Sequence, residues 1–399
     1  MNGLERRLRA ELARLRDANL YRTRRVIGGR HGVDMDVDGR RCLNFCSNDY
    51  LGLAADPRLA QAAGRALAES GTGSGAAALI SGYNREHQAL EEELAAFTGR
   101  PRALLFSSGW AANCGVLRAL LDKSGTLIAD ELNHASLIDG GRLSGARYVR
   151  VAHRDVGGFA RALEAARGAP TVLATDSVFS MDGDPARLRE LAALCRGHDA
   201  ALMVDDAHGF GVLGEGRGAL FADAAAPLTG ADVPVYMATL GKALGVSGAF
   251  VAGSAALVEY LVQRARTWVF STAPPPALAA AAREALRIVR DEPERRARLF
   301  DNVHRFRAGA AERGIALGES ATPIQALVLG EERRALAASA ALLARGFWVA
   351  AIRPPTVPRG TARLRITLSA AHAPAQVDAL LEALAEVLRA AADLEPAAA

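Results

Sequence analysis

Short apolar runs alternate with amphipathic helical stretches along the middle of the chain, and this alternation limits the fold more than any other feature. Helical periodicity marks residues 86–98, 111–121, 156–167 and 185–196. Apolar runs of strand length mark 103–106, 126–129, 147–151, 171–175, 201–204 and 235–238, with a further strand expected at 248–252. Runs such as Leu202-Met203-Val204 have no polar alternate, which is the pattern of strands buried on both faces. Helix and strand in alternation are what a largely parallel sheet with helical crossovers requires. The helix at 185–196 is expected to open with Asp184 as its N-cap and Pro185 in its first turn.

The rhythm breaks at Pro274-Pro275-Pro276. A long helical stretch is expected from 277 to about 314, then a strand at 323–329, a helix at 333–345, strands at 347–351 and 363–368, and a helix at 374–392. The N-terminus reads as a helix over 1–17, with Leu4, Leu8, Leu12 and Leu15 on one side, followed by short strands at 33–37 and 41–45. The expected organisation is a large α/β domain over 51–285 and a smaller α+β domain over 286–399. Residues 1–50 are expected to pack on the small domain, and the Ala-rich tail after Asp393 is expected to fray.

Composition excludes several classes of function. Half of the 399 residues are apolar, yet no run approaches the roughly 20 apolar residues of a membrane helix. The Arg-rich start also carries Glu5, Glu11 and Asp17 and lacks the apolar block of a secretory signal, so a cytoplasmic protein is expected. Cys42, Cys46, Cys114 and Cys195 show no CxxC spacing, so reduced thiols and no metal site are expected. The net charge is +4, but the basic residues are scattered among 44 acids without a basic, aromatic-interleaved run, which argues against nucleic acid. A modest positive field suits an anionic substrate or cofactor.

Of 48 basic residues only Lys123 and Lys242 are lysines. Where Arg serves for charge, a retained Lys draws attention to what Arg cannot do: shed its proton and act as a nucleophile. Lys123 lies in the polar stretch Asp122-Lys123-Ser124-Gly125 and needs no such role. Lys242 lies in Thr239-Leu240-Gly241-Lys242-Ala243-Leu244-Gly245, just past a buried strand, where α/β folds place ligands.

Three further groups stand at strand ends. Asp205, in Val204-Asp205-Asp206-Ala207-His208-Gly209, is a carboxylate of the kind a pyridinium nitrogen needs, with a metal ligand or a helix cap as the plainer alternatives. Ser107-Ser108-Gly109-Trp110-Ala111-Ala112-Asn113 joins a strand to a helix whose N-terminus suits a phosphate; Trp110 is equally well explained by core packing. His134, in Asn133-His134-Ala135-Ser136, is placed to lie against an aromatic ring.

Phosphate site, stacking His, carboxylate and Lys, in that order at successive strand ends, resemble the fold-type I pyridoxal-phosphate (PLP) enzymes, the aspartate-aminotransferase-like fold. More narrowly the chain resembles the α-oxoamine synthases. The likeness is carried by 44–53, His87-Gln88-Ala89-Leu90-Glu91, 178–184, 204–209 and 239–245. Residues 352–358 and 363–368 resemble the branch that condenses L-alanine with a pimeloyl thioester in biotin biosynthesis.

The resemblance implies PLP held as a Schiff base on Lys242, with Asp205 as pyridinium partner and His134 stacked on the ring. It places His208 and Ser180 near the ring's phenolic oxygen, and Gly109, Trp110 and Thr239 at the phosphate. Arg365 would clamp the amino-acid carboxylate with help from Asn48. Arg22 (or its neighbours Arg24 and Arg25) and Thr356 would line the acyl side. Phe270-Ser271-Thr272 resembles a segment that reaches a partner's phosphate, implying a homodimer with shared sites. The acyl carrier is CoA or an acyl carrier protein. The chain departs from the family at Ala76-Ala77-Ala78-Leu79, where Gly, Ser and a larger polar residue are usual, and at Trp110, where Phe or Tyr is commoner. The rivals are glycine C-acetyltransferase and 5-aminolevulinate synthase, from which the run Pro354-Pro355-Thr356-Val357-Pro358 separates this chain, and a non-catalytic PLP-sensing regulator, for which no helix-turn-helix fits before residue 45.

Overall fold

The computed structural model describes residues 2–392, so the tail after Asp393 lies outside the described residues. The chain divides into two compact units. The larger takes 48–180 and 184–296; the smaller takes the residues up to 47, 181–183, and those from 297 onward.

The larger unit is built on seven strands: β1 (Arg102–Phe106), β2 (Thr126–Asp130), β3 (Arg147–Val151), β4 (Thr171–Asp176), β5 (Ala201–Asp205), β6 (Val235–Thr239) and β7 (Ala249–Gly253). Their order across the sheet is β1-β7-β6-β5-β4-β2-β3. Pairings from β6 to β3 are all parallel, whereas β7 runs antiparallel to both its neighbours. A parallel return needs a crossover helix. The loop from β6 to β7 holds none, so β7 comes straight back beside β6. Leu127, Ile128, Leu202, Met203, Val204 and Phe250 are fully buried, as strands covered on both faces must be.

Helices Gly109–Leu120 and Ala135–Ser144 pack closely because Gly140 lacks a side chain. A Cβ there would stand 2.9 Å from the Asn113 carbonyl oxygen. The helix expected from residue 185 begins instead at Leu188. Asp184 does not cap it, since its carboxylate is bonded to His153, and Pro185 forms an isolated bridge with Val178.

In the smaller unit the helix Gly3–Asp17 buries none of its residues, and Leu4, Leu8 and Leu12 stay exposed. The single strand expected at 347–351 is two. Phe347–Trp348 pairs in parallel with Leu43-Asn44, in the sheet formed by Ile27–Gly28, Asp34–Val37 and Arg40–Asn44. Ala350–Ile352 pairs antiparallel with Ala362–Thr367, in a second sheet completed by Ile324–Gly330. Val349, wholly buried, is the residue at which the chain changes sheets. The long helix expected over 277–314 is also two, Pro276–Asp291 and Pro293–Glu312. Pro293 lacks an N–H and forces Glu292 out of the helical region (φ −121°, ψ 66°). Among the described residues, no helix is long and apolar enough to cross a membrane.

Candidate active site

Lys242 hangs from the loop joining β6 to β7, past the carboxyl end of β6. Two features fix the loop. The Thr239 hydroxyl donates to the Gly248 carbonyl (2.9 Å), and Gly245 takes φ +68°, where a Cβ would lie 2.3 Å from the Ala54 nitrogen. Gly245 therefore lets the loop settle on residues 53–54; Gly241 is not crowded in this way. The Lys242 Nζ lies 2.8 Å from His208 Nε2, His208 Nδ1 lies 2.7 Å from the Tyr50 hydroxyl, and Tyr50 lies 3.2 Å from Asn48 Oδ1. With a proton on its Nδ1, His208 donates to Tyr50, which donates to Asn48, and its Nε2 faces the Lys242 amine.

Asp205 ends β5 and is buried. Its Oδ2 accepts from Asn113 Nδ2 (2.7 Å) and its Oδ1 from the Ala207 N–H (3.0 Å). Asn113 also donates to Ser136 Oγ (2.8 Å), which lies 2.7 Å from His134 Nδ1. The His134 backbone N–H donates to Asp176 Oδ2 (2.6 Å) at the end of β4, while the residue is exposed. Asp176 and Asp205 are Cα partners across β4 and β5. Burial, and next the charge of Asp205, raise Asp176 well above the usual carboxylate range. The charges of Asp205 and Lys242 both reach His134 and Asp176, so the four groups share one locality. An amine beside a proton acceptor, facing a buried carboxylate that accepts from two N–H donors, can bond to a carbonyl and move a proton.

The remaining expected residues divide between the two units. Ser108 caps Gly109–Leu120 through the Ala111 N–H (3.1 Å), and the first N–H groups of that helix have no intrahelical partner. Trp110 is exposed (48%), so the core-packing alternative does not hold. Ser180 and Thr272 are in the larger unit, and Thr272 bridges Ala77. The 76–79 departure continues into a wide helical turn, Ala78–Gly82, with Leu79 and Ile80 exposed. In the smaller unit Arg365 is buried on the central strand of its three-stranded sheet. Arg22 Nη2 donates to the Thr356 hydroxyl (3.1 Å), whereas Arg25 is engaged by Asp38. Arg22, with Leu12, Leu15, Tyr21, Pro354 and Val357 among others, lines a cavity of about 780 Å³.

Tyr50, Asn113, Ser136 and Asp176 belong to these networks and were not singled out by sequence. Three lie inside stretches the sequence marks, and Asp176 is one residue past the expected end of its strand. For Asp176 the signal was a polar residue closing an apolar strand, as Asp130, Asp205 and Thr239 also do.

The chain belongs to the aminotransferase class I and II family, whose model matches residues 40–384. Within that class of fold-type I enzymes it is a member of the 8-amino-7-oxononanoate synthase family. It is 56% identical over 379 residues to the 8-amino-7-oxononanoate synthase of Methylococcus capsulatus, covering 94% of this chain and 97% of that one. It is 55% identical over 387 residues to that of Alkalilimnicola ehrlichii, covering 97% and 98%. Among solved structures it resembles serine palmitoyltransferase from S. paucimobilis, carrying PLP, with TM-score 0.92, 29% identity and coverage of 99% and 100%. It also resembles 8-amino-7-oxononanoate synthase from Francisella tularensis, with TM-score 0.76, 30% identity and coverage of 88% and 99%.

Proposed function

We propose that the chain is a PLP-dependent C-acyltransferase that condenses L-alanine with a pimeloyl thioester, releasing CO₂, a free thiol and 8-amino-7-oxononanoate for biotin synthesis. The observation that carries this reading is the convergence of Lys242, His208, Asp205, Asn113 and His134 at the carboxyl ends of neighbouring strands. The donor set fits PLP: a Lys amine for its aldehyde, a buried carboxylate for its ring nitrogen, and open helix N–H groups at Gly109 and Trp110 for its phosphate. When bound, the cofactor supplies an electron sink.

The chain's own residues do the rest. Asp205, oriented by Asn113 and Ala207, would hold the cofactor's ring nitrogen and keep it protonated. His134, anchored by Asp176 and Ser136, would cover the ring. His208 and Ser180 would meet its oxygen, and Thr239 holds the turn from which Lys242 projects. Lys242 takes the alanine Cα proton and later returns one, with His208, Tyr50 and Asn48 as its proton partners. Arg365 and Asn48 orient the alanine carboxylate, while Arg22 and Thr356 meet the acyl donor, which is CoA-linked or carrier-protein-linked. The protein works in the cytoplasm as a homodimer, with Thr272 serving the partner's phosphate.

Absorbance of the PLP-loaded protein, titrated with alanine and then pimeloyl-CoA, tests this reading. Alanine should shift the visible band, and pimeloyl-CoA should release free CoA and CO₂. Turnover of glycine with acetyl-CoA, but not of alanine with pimeloyl-CoA, would overturn it.

A further inference from the structure

His153 follows β3 by two residues and stands between two carboxylates. Its Nδ1 lies 3.0 Å from Asp130 Oδ1, and its Nε2 lies 2.8 Å from Asp184 Oδ2. A neutral imidazole has one N–H, so one carboxylate would face a lone pair; only the imidazolium donates to both. The ring is held edge-on to Phe179, with centroids 4.4 Å apart.

Each of the two aspartates takes part in a turn, Asp130 through its carboxylate and carbonyl and Asp184 through its carbonyl. Asp130, ending β2, accepts from the Leu132 N–H (2.8 Å), and its carbonyl accepts from the Asn133 N–H (3.2 Å), which directs the chain to His134. The Asp184 carbonyl accepts from the Phe179 N–H (3.0 Å), closing the turn that contains Ser180. Arg154, held at φ +56°, gives its N–H to Asp130 Oδ2 (2.8 Å) and points Nη1 at Asp184 (3.4 Å). A left-handed non-glycine residue costs about 1 kcal/mol or more and persists where its surroundings fix it.

We propose that His153 is a positioning residue: bridging Asp130 and Asp184, it ties the turn carrying Ser180 to the turn carrying His134 and so sets where both meet the cofactor. This rests on the reading of Ser180 and His134 as cofactor-contacting residues. The charged groups on the ring are Asp130 from β2 and Asp184; beside them Glu131 accepts from the His153 backbone N–H and Arg154 reaches Asp184. Burial opposes the imidazolium, but hydrogen bonds to Asp130 and Asp184 outweigh it and hold the pKa at about 9. The clamp is therefore complete below the ordinary histidine range and opens as pH rises through about 9.

The test compares PLP dissociation constants of the wild-type holoenzyme and His153→Gln between pH 7 and 10, alongside kcat and KM for alanine. Near pH 7.5 the variant should bind PLP roughly tenfold more weakly. The ratio should fall toward one above pH 9, because effects of Lys242 titration are common to both proteins. Equal affinity at pH 7.5, or a ratio constant across the range, overturns the proposal. If His153→Gln does not fold, Asp184→Asn replaces it; losing one carboxylate should move the wild-type pH limb to lower pH, and an unmoved limb overturns the proposal. A wild-type protein that binds no PLP at any pH overturns the functional reading as well, so the two failures are distinct.

Discussion

Asp176 and Asp205 stand side by side on adjacent parallel strands, and two buried carboxylates at such range do not both ionise at low cost. Burial first, and then the charge of Asp205, raise Asp176 well above the usual carboxylate range, while Asp205 accepts from two N–H donors. Asp176→Asn, isosteric with the protonated acid, is therefore expected to keep PLP affinity and turnover within about threefold, whereas Asp205→Asn should lower turnover by a factor on the order of 100 or more. Titration of PLP absorbance and steady-state rates check both. Lys242→Arg keeps the charge but has no titratable amine, and should abolish turnover by more than about 1,000-fold with melting unchanged within a few degrees. The positions of Lys242, Asp205 and His134 at strand ends were readable because a buried strand announces its own end. Their partners were not. Asn113 meets Asp205 across 92 residues of sequence, and Tyr50 meets His208 across 158.

Element boundaries show the same division. The alternation of strand and helix in the larger unit follows the apolar pattern closely, because strands covered on both faces must be apolar throughout. Errors fall where a side chain was already engaged elsewhere, as Asp184 is by His153, where tertiary pairing divides one apolar run between two sheets, as at Val349, or where a proline breaks a helical run, as Pro293 does. Helix ends in the larger unit are also tied by charge. Asp56 at the start of Pro57–Ser70 and Glu292 at the end of Pro276–Asp291 are cross-linked by Arg58 and Arg295. The hydrogen bonds from Arg58 hold both carboxylates down to about 2, from ordinary values of 3.8 and 4.5. Their contribution is complete above those ordinary values and is lost as pH falls through about 2. Glu292→Gln should therefore lower stability by about 1 kcal/mol at pH 7, since solvent screens much of the pair, and the gap to wild type in thermal unfolding should narrow as pH drops below 4.

On the scale of the whole molecule, the larger unit displays apolar side chains that a single copy leaves uncovered. The bridge between Ala77 and Thr272 holds the segment bearing Leu79 and Ile80 beside the one bearing Phe270, which is 70% exposed. A second copy of the chain would cover such a surface. If the proposed homodimer uses this surface, Ile80→Asp combined with Phe270→Ser weakens self-association at least about tenfold by sedimentation equilibrium, and unchanged association excludes it. Residues 40–44 pair with Phe347-Trp348, about 300 positions further on. During synthesis at roughly 5–20 residues per second, the early strands wait tens of seconds for the segment that completes their sheet, while every strand of the seven-stranded sheet has already emerged. The ribosome thus delivers the smaller unit's opening segment long before its last, which makes residues 27–44 the stretch where a chaperone or a mispaired edge acts first.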